Sequence, residues 1–181
     1  MGSGLNSLIS SSDETMQSYS QVFEPSLLST IFTPSPPKNL HIVQCNVTSD
    51  ESVLNAAATV SRLTGRVDVL INNAGIDNNK SIRYTDVAGF KEILETNLVG
   101  PHRVTRAFLP LILNSHIKKV INVSSDFGSI MLNDRVLFGA YSTSKASLNM
   151  LTVSYKNNYA KEEVIFITLH PGDVCSVWCS V

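Results

Sequence analysis

A chain of 181 residues has the size of one domain. Its 43% hydrophobic content and mean hydropathy of +0.09 are enough for a core and exclude a globally disordered polymer. A formal net charge of -1 excludes the basic field that a nucleic-acid partner requires.

Three cysteines, Cys45, Cys175 and Cys179, make no disulfide framework and fit a reducing compartment. Cys175 and Cys179 have no partner pair, so no metal site is expected. No apolar run reaches the length of a membrane span. "MGSGLNSLISSSDETM" lacks the basic and apolar regions of a secretory signal. The chain has no Lys or Arg before Lys38, and Asp13, Glu14 and Glu24 are acidic, unlike a transit peptide. Asn6 breaks the myristoylation pattern. These signs predict a cytoplasmic protein with no membrane partner.

The elements follow in chain order. Residues 1–37 hold ten serines and end in "TPSPP", the composition of a poorly ordered arm and linker. "SLLSTIF" (26–32) within it fits a short strand or a short helix equally well. From residue 38 the pattern becomes regular. "HIVQCNV" (41–47) is rich in Val and Ile and predicts a strand. "DESVLNAAATVSRLTG" predicts a helix capped by Ser49 or Asp50 and closed by Gly65. "VDVLINNAG" reads as a buried parallel strand ending in a turn. Asp86 to Leu113 predicts one long helix interrupted at Gly100-Pro101. "KKVINVSS" is the next strand, "AYSTSKASLNMLTVSYKNNYAK" the next helix, and "EVIFITLHPG" the last strand. Alternation of this kind predicts an α/β fold. It would be a Rossmann-like, doubly wound parallel sheet with helices on both faces.

Ligands of such sheets sit beyond the carboxyl ends of the strands. Asn72-Asn73-Ala74-Gly75, Ser124-Ser125 and His170-Pro171-Gly172 all fall at that edge. Tyr141 and Lys145 fall in the first turns of the helix that follows Ser125, and their i, i+4 spacing puts them on one helix face. A free tyrosine titrates near ~10, too high for ready proton exchange at neutral pH. A nearby ammonium favours the phenolate and is expected to lower that value. Pro101 cannot donate to the Asn97 carbonyl four residues earlier, so the helix is expected to kink and free that oxygen for an ordered water. Alone, each feature has a bland equivalent: Tyr-x-x-x-Lys recurs by chance, and Asn-Asn-Ala-Gly is also a plain turn. Their joint order and topology are much harder to reach by chance.

"NNAG", "NLVGP", "INVSS", "YSTSK" and "HPG", in that order over roughly residues 40–175, resemble a classical short-chain dehydrogenase/reductase. "SSDFGSI", "SKASLNML" and "LHPGDV" are most similar to the carbonyl-reductase branch that includes the C-factor and sniffer-like proteins. The resemblance implies Asn97, Ser125, Tyr141 and Lys145 as catalytic residues. Tyr141 would be the general acid/base, with Lys145 lowering its pKa and holding the nicotinamide ribose. Ser125 would orient the carbonyl and Asn97 would anchor a water relay. It further implies NADP or NAD as cofactor, held by Asn46, Val47, Asn72, Ala74, Gly75, Tyr141, Lys145, Pro171, Gly172 and Val174. The partners implied are a small carbonyl or alcohol substrate and a second copy of the chain, packed through the long helices.

The chain departs from that pattern in three ways. The glycine-rich turn that seats a pyrophosphate at a helix N-terminus is missing, and with it the first βαβ unit. "GSGLNS" (2–7) is a weak echo of it. Asn46 stands where the family often has an aspartate for the adenine amino group. "PGDVCSVWCSV" ends the sequence before a last strand. Residues 1–37 therefore read as an arm and 38–181 as a partial Rossmann-type domain. Two functions remain in view: an NAD(P)-dependent oxidoreductase, and an inactive, shortened relative that acts through its surfaces.

Overall fold

The structure, a computed structural model, describes residues 7–10, 12–13, 16–17, 40–132 and 137–172. "SLLSTIF" and Val174 lie outside the described residues. Three short strands form within the stretch expected to be an arm: β1 (Ser7–Ser10), β2 (Ser12–Asp13) and β3 (Met16–Gln17). β2 and β3 pair with each other. β1 joins the main sheet, whose order is β1-β4-β5-β6, with β4 at Val69–Asn72, β5 at Lys119–Val123 and β6 at Ile165–Leu169. β4, β5 and β6 are parallel, whereas β1 runs antiparallel to β4, with Ser7 opposite Asn72 and Ser10 opposite Val69.

Two helices begin where the chain offers a side-chain cap. In α1 (Asp50–Thr64) the Ser49 side chain accepts the Ser52 amide, and Gly65 closes the helix at φ 69°. In α2 (Val87–Leu94) Asp86 accepts the Gly89 amide. The expected long helix is in fact three pieces: α2, a π-helical turn at Glu95–Val99, and α3 (Gly100–Leu113). α4 spans Gly139–Asn158. Short 3-10 turns stand at Ile82–Tyr84 and Asp126–Gly128.

One expected strand is absent. Residues 41–46 run without a ladder. A strand persists only beside a paired edge, and β1 occupies the edge of β4. Side-chain burial and caps hold the segment instead. Cys45 and Val47 are buried, the Asn46 amide donates to Ser52 Oγ at 2.8 Å, and the Ser49 amide donates to the Asn46 carbonyl.

The core lies between the parallel strands and the helices. Leu70, Val120 and Phe166 from the strands meet Val53, Ala56 and Val60 of α1, and Val104, Phe108 and Ile112 of α3. A polar chain crosses this layer. Asn72 Nδ2 donates to Thr105 Oγ1 at 3.0 Å and to Asn122 Oδ1 at 2.8 Å, and Asn122 Nδ2 donates to Thr152 Oγ1 at 2.8 Å. Those bonds tie β4, β5, α3 and α4 together at the level where the strands end.

The expected Rossmann-like parallel sheet is thus present, and its described helices share one face. Right-handed connections from β4 to β5 and from β5 to β6 place both crossovers there. The opposite face carries Val69, Ile71, Ile121, Val123, Ile165, Ile167 and Leu169, by strand alternation. Ile165, Ile167 and Leu169 are 46%, 41% and 47% exposed, so no described element covers β6 there.

These two environments predict opposite costs. Asn122→Ala removes one partner each from the buried Asn72 amide and Thr152 hydroxyl, and is expected to destabilise by about 1–3 kcal/mol. Ile167→Thr, on the open face, is expected to stay within about 0.5 kcal/mol of the parent. Urea unfolding midpoints of the two variants check both.

Candidate active site

The π-helical turn sets the position of Asn97, which is fully buried. Its Oδ1 accepts the Ile76 amide at 2.8 Å, and its Nδ2 donates to the Ile76 carbonyl at 2.9 Å and to Ser144 Oγ at 3.0 Å. Ser144 in turn donates to the Tyr141 carbonyl at 2.6 Å. One amide thereby joins the loop after β4, the bent helix and the first turns of α4. Pro101 has no amide hydrogen to give the Asn97 carbonyl, as expected from the sequence, and the Gly100 amide reaches Glu95 instead, five residues back.

Lys145 is buried, and its Nζ donates to the Val123 carbonyl at 2.7 Å, at the end of β5. The same nitrogen lies 5.4 Å from the centroid of the Tyr141 ring. Burial pulls its pKa from the ordinary 10.5 down to about 8. Gly128 lets the 3-10 turn approach this helix. A Cβ there would stand 2.8 Å from the Lys145 carbonyl carbon and 3.0 Å from the Ala146 nitrogen, both backbone atoms.

Ser125 caps that 3-10 turn, accepting the Phe127 amide at 3.2 Å and donating to Asp126 Oδ1 at 3.0 Å. Ser125 also lies near enough to the Tyr141 phenol to act on its titration. The Tyr141 pKa is raised, contrary to the expectation from its lysine neighbour. Burial of the phenol is the largest cause; Ser125 lowers the value, and the charges of Asp77 and Asp126 raise it further. The ammonium of Lys145 points to a carbonyl rather than to the phenol oxygen, so its effect on the phenol does not outweigh burial.

Asn97, Ser125, Tyr141 and Lys145 therefore meet at the carboxyl edge, and Gly75 faces them. A Cβ on Gly75 would stand 3.5 Å from Asn97 Oδ1 and 3.6 Å from Lys145 Nζ. This open flank fits the nicotinamide half of a dinucleotide. The adenine half fits poorly. Asn46 Oδ1 already accepts from the Thr48 amide at 3.0 Å and from Thr48 Oγ1 at 2.8 Å, which fills both of its lone pairs. Val47 is sealed in the core, and its carbonyl accepts from Arg103. Asn72 spends its amide hydrogens on the buried polar chain, and its Oδ1 is buried without a hydrogen-bond partner. Ala74 is buried, while Pro171 and Gly172 are exposed just past β6, with Gly172 at φ 79°.

Sequence reasoning missed several residues of this corner. Ser144 is visible only as the small polar residue before Lys145, and its partner lies 47 positions away in the chain. The Val123 carbonyl has no side-chain signature at all. Arg103 binds Asp50 and Glu95 as well as the Val47 carbonyl, fixing the start of α1 to the bent helix. The shallow groove between Lys156 and Phe166 lies at the amino end of β6 and includes none of the four catalytic candidates.

A parallel sheet with a buried lysine, a tyrosine and a serine converging at its carboxyl edge defines a Rossmann-like protein. A family model described as short chain dehydrogenase matches residues 28–177. The short chain dehydrogenase pigC of Monascus ruber is 39% identical over 140 residues, covering 77% of this chain and 45% of that protein. The crystal structure of an NADPH-bound carbonyl reductase from chicken fatty liver is similar at TM-score 0.69 and 37% identity, over 74% of this chain and 58% of that one. The carbonyl reductase Sniffer of D. melanogaster is similar at TM-score 0.75 and 27% identity, over 81% and 64%. The chain belongs to the short-chain dehydrogenase family, and the expected likeness to carbonyl reductases is borne out. It spans about half the length of the curated relatives it matches.

The buried ammonium makes a pH prediction. Below pH 8 Lys145 is charged in both folded and unfolded chains, and the folded state bears the cost of burying that charge. Between about 8 and 10.5 the unfolded chain holds the proton that the folded chain has released, so stability rises with pH across that window. Lys145→Met removes this term. The unfolding free energy of the parent minus that of the variant is expected to increase from pH 8 to pH 10.5 in urea titrations.

Proposed function

We propose that the chain works as an NAD(P)-dependent oxidoreductase on a carbonyl/alcohol pair. The observation that carries this reading is the convergence of Ser125, Tyr141 and Lys145 on one corner, held by the Asn97 clamp. A nicotinamide cofactor, when bound, supplies or takes the hydride. NADPH in the similar chicken carbonyl reductase supports this class of cofactor without choosing between NADP and NAD.

The residues would divide the remaining work. Tyr141 Oη donates its proton to the substrate oxygen in reduction and recovers it in oxidation. Its raised pKa keeps the phenol protonated at neutral pH, so the proton to be given is in place. Ser125 Oγ holds the same substrate oxygen within reach of Tyr141. Lys145, with a pKa near 8, exchanges protons close to physiological pH, and its Nζ lies beside the open flank at Gly75, where a ribose would sit. Asn97 positions Tyr141 through Ser144 and anchors the bent helix whose free carbonyl would hold a relay water. α3 and α4 are the surfaces through which two copies would pair, a point for light scattering to decide.

A second reading is a non-enzymatic relative that keeps the corner and binds no dinucleotide. The filled acceptor of Asn46 favours it. Fluorescence titration with NADPH and NADH separates the two readings. Saturable binding at micromolar concentration, followed by carbonyl reduction, is the outcome expected from the enzyme reading. Tyr141→Phe is then expected to lower kcat/KM by about 100- to 10,000-fold with cofactor affinity nearly unchanged. A folded chain that binds neither cofactor leaves only the second reading.

A further inference from the structure

Two phenylalanines stand against the catalytic corner. Phe127 meets the Tyr141 ring edge-on, with centroids 6.0 Å apart and planes at 87°. Phe138 lies 5.1 Å from Phe127 at an angle of 53°. All three rings are only partly buried, so they form a wall at the site rather than a sealed core. The Phe127 amide donates to Ser125 Oγ, which couples the wall to the serine.

Phe138 holds an unfavourable backbone. Its φ of 65° and ψ of 26° lie in the left-handed region, which large side chains avoid. It sits immediately before α4 and accepts the Ser142 amide at 2.7 Å. Glycine or asparagine would make the same turn with less strain. A strained aromatic three residues before Tyr141 points to a use for its ring.

The apolar surface continues outward from the wall. Ile130 and Met131, just beyond the Phe127 turn, are 88% and 92% exposed. Ile82 and Tyr84 are exposed on the neighbouring 3-10 turn, which is tied to α4 by the Gly139 amide donating to the Lys80 carbonyl. Exposed apolar side chains are ordinary singly, but aromatic rings in contact with a tyrosine of the site are candidates for ligand binding.

We propose that Phe127 and Phe138 are specificity-determining residues that hold an apolar, preferably aryl, substituent of the substrate carbonyl beside Ser125 and Tyr141. This deepens the oxidoreductase reading and rests on it for the chemistry, though not for the binding. Aromatic rings receive a flat apolar group by stacking and edge contacts. They offer no hydrogen bonds to a sugar-like carbonyl. Asp77 and Asp126, whose charges already disfavour the Tyr141 phenolate, oppose carboxylate-bearing substrates as well.

The test uses the full chain, with acetophenone and glycolaldehyde as probes. Saturation-transfer NMR reads binding, NADPH oxidation reads turnover, and thermal melting reads the fold. The parent is expected to bind acetophenone at least about tenfold more tightly than glycolaldehyde. Phe138→Gly relieves the backbone strain, so its melting temperature is expected to hold or rise while the preference falls about tenfold. Phe127→Leu keeps an apolar volume, and is expected to lose most of the preference if Phe138→Gly does not fold. A parent with no preference, or binding neither probe, overturns the proposal. So does a Phe138→Gly that melts lower with its preference intact, since that marks a purely structural ring. The binding arm decides even if no carbonyl is reduced, in which case only the oxidoreductase reading falls. Equal binding and turnover of both probes keeps that reading and sinks the aryl preference.

Discussion

The geometry of the site depends on one side chain, Asn97. Its amide has two donor hydrogens and one acceptor oxygen, and all three meet groups on other elements: the two backbone groups of Ile76 and the hydroxyl of Ser144. A fully buried amide that lost these partners would carry the cost of its own desolvation, so the three elements are held in register together. The π-helical turn makes this possible. Widening one turn of the helix aims Asn97 inward without breaking the run from α2 into α3. Pro101 suits that turn because its missing hydrogen has no partner to lose.

The clamp positions the charge, but burial determines how that charge behaves. Lys145 sits where its ammonium is costly, and its bond to the Val123 carbonyl offsets only part of that cost. Tyr141 is partly buried as well, and the charges of Asp77 and Asp126 act on it. The two groups therefore move apart in pKa, the lysine falling to about 8 and the phenol rising.

Much of this was legible in the chain because it is written locally. Ser49, Gly65 and Asp86 mark helix ends through hydrogen bonds to residues three or four positions away, and the Tyr141-Lys145 spacing follows from helix pitch. The parallel order β4-β5-β6 follows from alternation. What could not be read depends on partners distant in the chain. Residues 41–47 carry strand-forming side chains, yet a strand is defined by its neighbour, and β1 stands at the edge of β4. The direction of the Tyr141 shift could not be read either, because burial is a property of the packed corner and not of the Tyr-Lys pair. The left-handed backbone at Phe138 has no signature, since no residue preference predicts an aromatic there.

The two ends of a dinucleotide site are separable in this fold, and the chain shows where the division falls. The ties that build the catalytic corner run between residues 76 and 145: Asn97 to Ile76 and Ser144, Lys145 to Val123, and the Gly128 turn against α4. They close within the β4-to-α4 unit. The adenine side is joined to that unit through Arg103, which bridges Glu95 in the π-helical turn to Asp50 and the Val47 carbonyl. The corner itself is built from residues 76 to 145. Its form therefore speaks to the chemistry it can perform and not to how tightly a dinucleotide is held, because that affinity resides largely in phosphate contacts at a glycine-rich helix start. The shape of the corner and the affinity for a dinucleotide thus rest on different parts of the chain, and each has to be measured on its own.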